Sequence, residues 1–358
     1  MATIQQLDSG RNNNFDLLRF VAATIVIFSH SFLVTGTFGD EPLVKLTHLL
    51  DLGAVGVRVF FAISGYLITK SMFRQPSIGS FVWARCLRIF PGLMVTALFC
   101  AFIIGPLCTT LPVNDYFRDI AVYKFIFRLS TLHNFDNYLP GTFVKNPFPY
   151  SVNSPIWTLP AELVMYLVVL VVEIIRLAVK KEFKLLYQAV PALIFVYVFF
   201  KGMRFDTLYL NHVYLWGIAF LSGSIIWFLR YKILLSVKAF LITTVLFIVA
   251  VIMFKDLQPR YNEYIISILS VILAYGILVA AYHPRLQLAS FHKLGDYSYG
   301  LYIYAFPIQQ FIIFKFHLLN PFLHFLISFP LALTLAIPSW HFIEKPILKL
   351  KRISFFKR

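Results

Sequence analysis

The sequence predicts an all-α fold, a polytopic membrane helix bundle of about ten transmembrane helices with the N- and C-termini cytoplasmic. The 358-residue chain is 59% hydrophobic and 18% aromatic but only 13% charged, more apolar surface than a soluble chain of this length can hide. Its apolar residues gather into ten runs near membrane-spanning length. The segments that alternate between those runs carry very unequal numbers of Lys and Arg.

Taken in order, the runs lie at 15–37, 52–72, 89–110, 157–177, 185–201, 208–229, 237–254, 262–282, 297–315 and 321–342. The first, FDLLRFVAATIVIFSHSFLVTG, follows a polar N-terminus that does not read as a cleavable signal. The second, GAVGVRVFFAISGYLI, has Gly53, Gly56 and Gly65, which let helix backbones meet closely. Between the third and fourth runs lies the one large loop, 111–156, expected outside the membrane. Its stretch DYFRDIAVYKFIFRLSTL has apolar residues at helical spacing, either lying in the outer interface or packed on the bundle. The membrane domain is expected to cover 1–345, leaving 346–358 as a basic cytoplasmic tail that suits an anionic lipid surface. With the N-terminus inside, 20 of the 32 Lys and Arg fall in cytoplasmic segments and ten outside, four of those ten in the long loop.

The same features exclude other classes. A net charge of +16 would suggest nucleic acid for a soluble protein, but here it reads as inside-facing loops, so no nucleic-acid partner is expected. Cys86, Cys100 and Cys108 lack metal-ligand spacing, and no metal or permanently bound cofactor is implied. No Walker loop, dinucleotide fingerprint or internal repeat is visible, and Ser64 in SGY lacks a nucleophile-elbow context.

Ionisable residues inside the runs are costly and therefore informative. Arg19 and His30 are eleven positions apart, which on an α-helix is three turns plus roughly 20°, so they share one face about 16 Å apart along the axis. Either a path across the membrane joins them, or Arg19 snorkels and His30 is a hydrogen-bonded core histidine. In the predicted orientation Asp16, Arg19, Arg85, Arg88 and Glu344 form a cytoplasmic layer. Arg85 and Arg88, in WARCLRIFP just ahead of the third run, are three apart and suit phosphate, or else merely signal topology. His30, Arg58 and Glu162 form an outer layer on three different runs. A histidine near a carboxylate is a competent base for a hydroxyl at neutral pH; the alternative reading makes Arg58 and Glu162 a structural ion pair.

At these residues the chain resembles the acyltransferase 3 family of membrane enzymes that O-acylate surface carbohydrates. NFDLLRFVAATIVIFSH looks like the family's Asp-x-x-Arg, ten residues and His. GVRVFFAISGYLI, the RCLRIFP element, SPIWTLPAELVMY with Trp157 and Glu162, LGDYSYGLYIYAFPI with Ser298 and Tyr299, and PSWHFIEKP with Glu344 follow in the family's order. Ala305 stands where the family often has histidine, and position 58 is variable in the family, so Arg58 reflects the particular acceptor. The chain resembles the stand-alone form, without a C-terminal hydrolase-like domain.

The resemblance implies transfer of an acyl group, most often acetyl, from cytoplasmic acyl-CoA to a hydroxyl of a cell-surface or lipid-linked carbohydrate at the cell inner membrane. Acetyl-CoA or another acyl-CoA would be a donor substrate, and a glycan or glycolipid the acceptor. His30, Arg19 and Glu162 would be catalytic, and Arg85, Arg88 and Arg19 would bind acyl-CoA. Asp16, Arg58, Trp157, Ser298, Tyr299 and Glu344 would support them. The alternatives are a lipid-linked glycan flippase without acyl transfer and a glycan polymerase. A flippase has no need of the Arg-x-x-Arg before Pro91, and a polymerase would favour catalytic groups in large outer loops.

Overall fold

A computed structural model of the chain describes residues 2–8, 13–74, 77–133, 137–179, 184–201, 208–253, 262–283, 291 and 295–352. Arg11, Asp136, Lys180, Lys181, Arg204, Lys255, Arg260, Arg285, Lys293 and the end of the basic tail, 353–358, lie outside the described residues. Among the described residues the regular structure is helical, with no strand. The long helices are α1 Phe15–Val34, α2 Leu52–Arg74, α3 Ile78–Phe99, α4 Leu159–Ala178 and α5 Lys184–Lys201. They continue as α6 Leu208–Phe228, α7 Val237–Met253, α8 Asn262–Tyr282, α9 Ser298–Phe316 and α10 Pro321–Pro338. Each falls on one of the ten expected runs. Among the described residues six stretches are long and apolar enough to cross a membrane: those of α1, α2, α3, α4, α8 and α10 with their extensions. The chain is therefore a multi-pass, all-helical membrane protein.

Three boundaries differ from expectation. Helix α3 begins at Ile78 rather than 89, so Arg85, Arg88 and Pro91 are inside it. Hydropathy marks only the apolar part of a helix, whereas residues 78–90 continue it as a stretch of mixed polarity. Proline biases the residue before it away from helix without forbidding helix there. Helix α3 runs on through a π-helical turn at Cys100–Ile104 to Cys108. Helix α10 likewise continues through a π-helical turn at Ser339–Glu344 to Lys349, placing Glu344 within the helical stretch instead of after it. The loop helix is broken in two, Val113–Arg118 and Ile120–Thr131, because Asp119 caps the second by accepting from the Ala121 N–H at 2.8 Å. The second helix packs on the π-helical turn of Cys100–Ile104.

The chain divides into two compact units. The first comprises Met1–Arg19, Val57–Ile78 and Ala161–Leu294. Its core gathers Phe15, Ile63, Tyr66, Trp227, Leu278 and Tyr282. Helices α2 and α6 touch backbone to backbone there: a Cβ on Gly65 would stand 1.9 Å from the Phe220 carbonyl oxygen, and one on Gly223 would stand 2.2 Å from that of Ala62. Asp8, fully buried, pairs with Lys70 and Arg74 and accepts from the Tyr66 and Tyr282 hydroxyls, tying the N-terminal segment to α2 and α8.

The second unit comprises Phe20–Gly56, Gly79–Pro160 and Gly295–Arg358. Helices α9 and α10 pack along their length, with Gly300 against the backbone of Ala336. The segment after Asn146 is no free loop but runs down α9, held by side chains. Asn146 donates to Gln310, whose own amide donates to the Phe148 and Ser151 carbonyls at 2.7 and 2.9 Å. Lower down, Asn153 donates to the Ile303 carbonyl at 2.8 Å and the Tyr302 hydroxyl meets the Pro155 carbonyl and Thr158. From Gln310 to Tyr302 is eight residues of helix, so the descent is about 12 Å. Irregular backbone packed inside a protein needs partners for its polar atoms, and α9 side chains supply them to the Phe148, Ser151 and Pro155 carbonyls.

Candidate active site

One unbroken helix, α1, carries Asp16, Arg19 and His30. Helical geometry keeps the eleven-residue spacing on one side of it. Asp16 and Arg19 belong to the first unit and His30 to the second.

In the second unit His30 is half-buried, its imidazole edge-on to the Phe306 ring at 5.6 Å between centroids. Phe306 in turn meets Phe148 of the descending segment at 5.9 Å. Gln309 donates to the Ile27 carbonyl at 2.8 Å and to the Ser31 hydroxyl at 2.9 Å, pinning α1 against α9 on either side of His30 along the chain. Asp51, just ahead of α2, accepts from the Ser29 hydroxyl at 3.1 Å and from the Ala54 N–H at 2.7 Å. Ala305, where a family histidine was expected, is buried beside Phe306.

A second group in the same unit centres on Arg88. Its guanidinium donates to Asp296 at 2.6 Å and reaches Glu344 at 3.5 Å, and it lies over the rings of Tyr299 and Trp340. Ser298 donates to Asp296, Ser339 to Glu344 at 3.1 Å, and the Tyr299 hydroxyl to the Ile89 carbonyl at 2.6 Å. Of the residues the sequence singled out, Tyr299 and Glu344 thus gather directly around Arg88, and Ser298 joins them through Asp296. Arg85, one turn earlier on α3, is half-buried with its guanidinium over the Phe81 ring. Trp157 sits in the 3₁₀ turn Ser154–Thr158 that leads into α4.

In the first unit Glu162, in the first turn of α4, accepts from the hydroxyls of Ser64 at 3.2 Å and Tyr166. Ser64, read from sequence as a helix-packing hydroxyl, is thus a donor to Glu162. Arg58 is buried at 2% exposure on α2.

Over this frame the sequence profile of an acyltransferase domain matches residues 12–341. The chain belongs to the acyltransferase 3 family. It is 29% identical over 346 residues to an O-acetyl transferase of Shigella phage Sf6, covering 94% of this chain and 96% of the phage protein. Nodulation protein 10 of Rhizobium leguminosarum bv. viciae is 36% identical over 178 residues, 47% of this chain and 46% of that protein. Acyltransferase MdmB of Streptomyces mycarofaciens is 28% identical over 152 residues, 42% of this chain and 36% of that one. No solved structure matches the chain.

The protein is accordingly a membrane acyltransferase. Sequence reasoning missed two of the carboxylates around its candidate groups. Asp296 stood inside the quoted phrase LGDYSYG, and a buried guanidinium on α3 required a counter-charge. Asp51 had only a weaker signal, an acidic residue at the mouth of the second run.

Proposed function

We propose that this acyltransferase moves an acyl group, acetyl foremost, from acyl-CoA to a hydroxyl of a cell-surface or lipid-linked carbohydrate at the cell inner membrane. The observation that carries the reading is His30, half-buried on α1 next to Ser29, which binds the Asp51 carboxylate, in a chain whose family performs acyl transfer. The O-acetyl transferase name of the phage relative supports acetyl as the group and oxygen as the acceptor atom.

In this reading ten spans place both termini in the cytoplasm, with Arg19 toward the donor and His30 toward the acceptor. His30 takes the proton of the acceptor hydroxyl as its oxygen attacks the thioester carbonyl. The C–S bond breaks, the new ester C–O bond forms, and the proton ends on the departing CoA thiol. The balance is the same if the imidazole carries the acyl group briefly before the hydroxyl attacks. Arg85 meets a CoA phosphate, because fork-shaped guanidinium donors match phosphate oxygens. Arg88 enters already paired with Asp296 and Glu344, so its main part is to join α3, α9 and α10 beside the donor. Arg19 adds a further positive charge for the donor, Asp16 steadies it, and Glu162 holds the sugar through the network of Ser64 and Tyr166.

The test uses membranes containing the full-length protein and acetyl-labelled acetyl-CoA. Label should move to a glycan or glycolipid, and His30→Ala should abolish the transfer while the protein still inserts. Normal acylation by His30→Ala would remove His30 from the mechanism. Movement of the glycan across the membrane without acyl-CoA would favour a flippase.

A further inference from the structure

The acidic residue ahead of α2 is built into place more carefully than a surface loop requires. One Asp51 oxygen, Oδ1, accepts from both the Ser29 hydroxyl at 3.1 Å and the Ala54 N–H at 2.7 Å. Ser29 immediately precedes His30, so this carboxylate is tied to the very turn of α1 that carries the imidazole. Gly53 makes the approach possible: a Cβ there would stand 2.8 Å from Asp51 Oδ1, 3.1 Å from Ser29 Oγ and 3.2 Å from Ser29 Cβ. The connection leading to Asp51 is fixed as well. Glu41, fully buried, accepts from the N–H groups of Leu43, Val44 and Leu52 at 2.8–3.0 Å, clamping the segment after α1 to the first residue of α2.

Resting on the reading of His30 as the base, we infer that Asp51 is a positioning residue that holds the His30-bearing turn of α1 through Ser29 and keeps a negative charge near enough to stabilise the imidazolium formed when the proton is taken. A carboxylate held near a histidine favours the charged form of the ring as the proton arrives. Simple capping of α2 explains the Ala54 bond but not the tie to Ser29. The two roles separate cleanly by mutation. Asparagine caps a helix about as well as aspartate and still accepts from Ser29, but it carries no charge.

The experiment compares purified full-length wild type, Asp51→Asn, Asp51→Glu and His30→Ala in lipid vesicles, with acetyl-CoA and an acceptor glycan. Asp51→Asn should keep the wild-type melting temperature and KM for acetyl-CoA while kcat falls on the order of 10²-fold, the lower range of acid–base assistance. Asp51→Glu should recover part of the loss. Ser29→Ala and Gly53→Ala provide independent variants should Asp51→Asn not fold, and each should lower kcat with KM unchanged. Wild-type kcat in folded Asp51→Asn, with His30→Ala inactive, overturns the role of Asp51 and leaves the base in place. Full activity of His30→Ala overturns both.

Discussion

Arg88 and Asp296 are 208 residues apart in the chain, yet the guanidinium Nη2 and the carboxylate Oδ2 meet at 2.6 Å. Glu344 closes the group from α10, at 2% side-chain exposure against 20% for Arg88 and 13% for Asp296. Removing one member of a buried ion group leaves the others uncompensated, at about 3–5 kcal/mol. Arg88→Ala should therefore lose folded protein, seen as a collapsed monodisperse peak in detergent chromatography. Arg85→Ala should stay folded and show a higher KM for acyl-CoA, measured by initial rates. An Arg88→Ala protein that folds normally but binds acyl-CoA poorly would reverse the division of labour between the two arginines.

Glu162 is held by two hydroxyl donors within its own unit. A hydrogen bond to a charged group contributes about 1.5–3 kcal/mol. Tyr166→Phe should lower the melting temperature slightly and raise the KM for the acceptor while sparing that for acyl-CoA. Glu162→Gln should raise the acceptor KM further. Unchanged acceptor kinetics in both variants would confine Glu162 to a structural part.

The contact of α2 with α6 leaves no room for a methyl group at Gly65 or Gly223. Forcing one in costs about 1–3 kcal/mol or more, since the obstacle at each site is backbone. Gly65→Ala and Gly223→Ala should each lower the thermal midpoint, with Gly65→Ala the worse because its approach is closer. Gly39→Ala, where nothing lies within 4 Å, is the control and should leave the midpoint unchanged.

The descending segment after Asn146 depends on polar side chains for its backbone. Gln310→Leu strands the Phe148 and Ser151 carbonyls that now accept from its amide, at about 1–3 kcal/mol for each group left unsatisfied. The segment should then become accessible to protease from the side on which it opens, with α9 still intact. Activity should fall with it, since Phe148 packs on Phe306 and Phe306 on His30.

What the sequence alone determined is local in origin. Membrane helices declare themselves through apolar length: the apolar runs fall on helices, and six stretches among the described residues are long and apolar enough to cross a membrane. The Arg19 and His30 spacing followed from helical periodicity, and the ordered motifs sufficed for the family. Boundaries were less legible, because α3 continues through the charged stretch around Arg85 and Arg88, where hydropathy sees an end. Partnership was decided only by tertiary structure. Neither Asp51 on Ser29, Asp296 on Arg88, nor Ser64 on Glu162 has a signature at a fixed spacing, because each pair joins different helices or their connections. A polar group in an apolar interior must find a partner, but sequence states only that need. Packing chooses which carboxylate meets it.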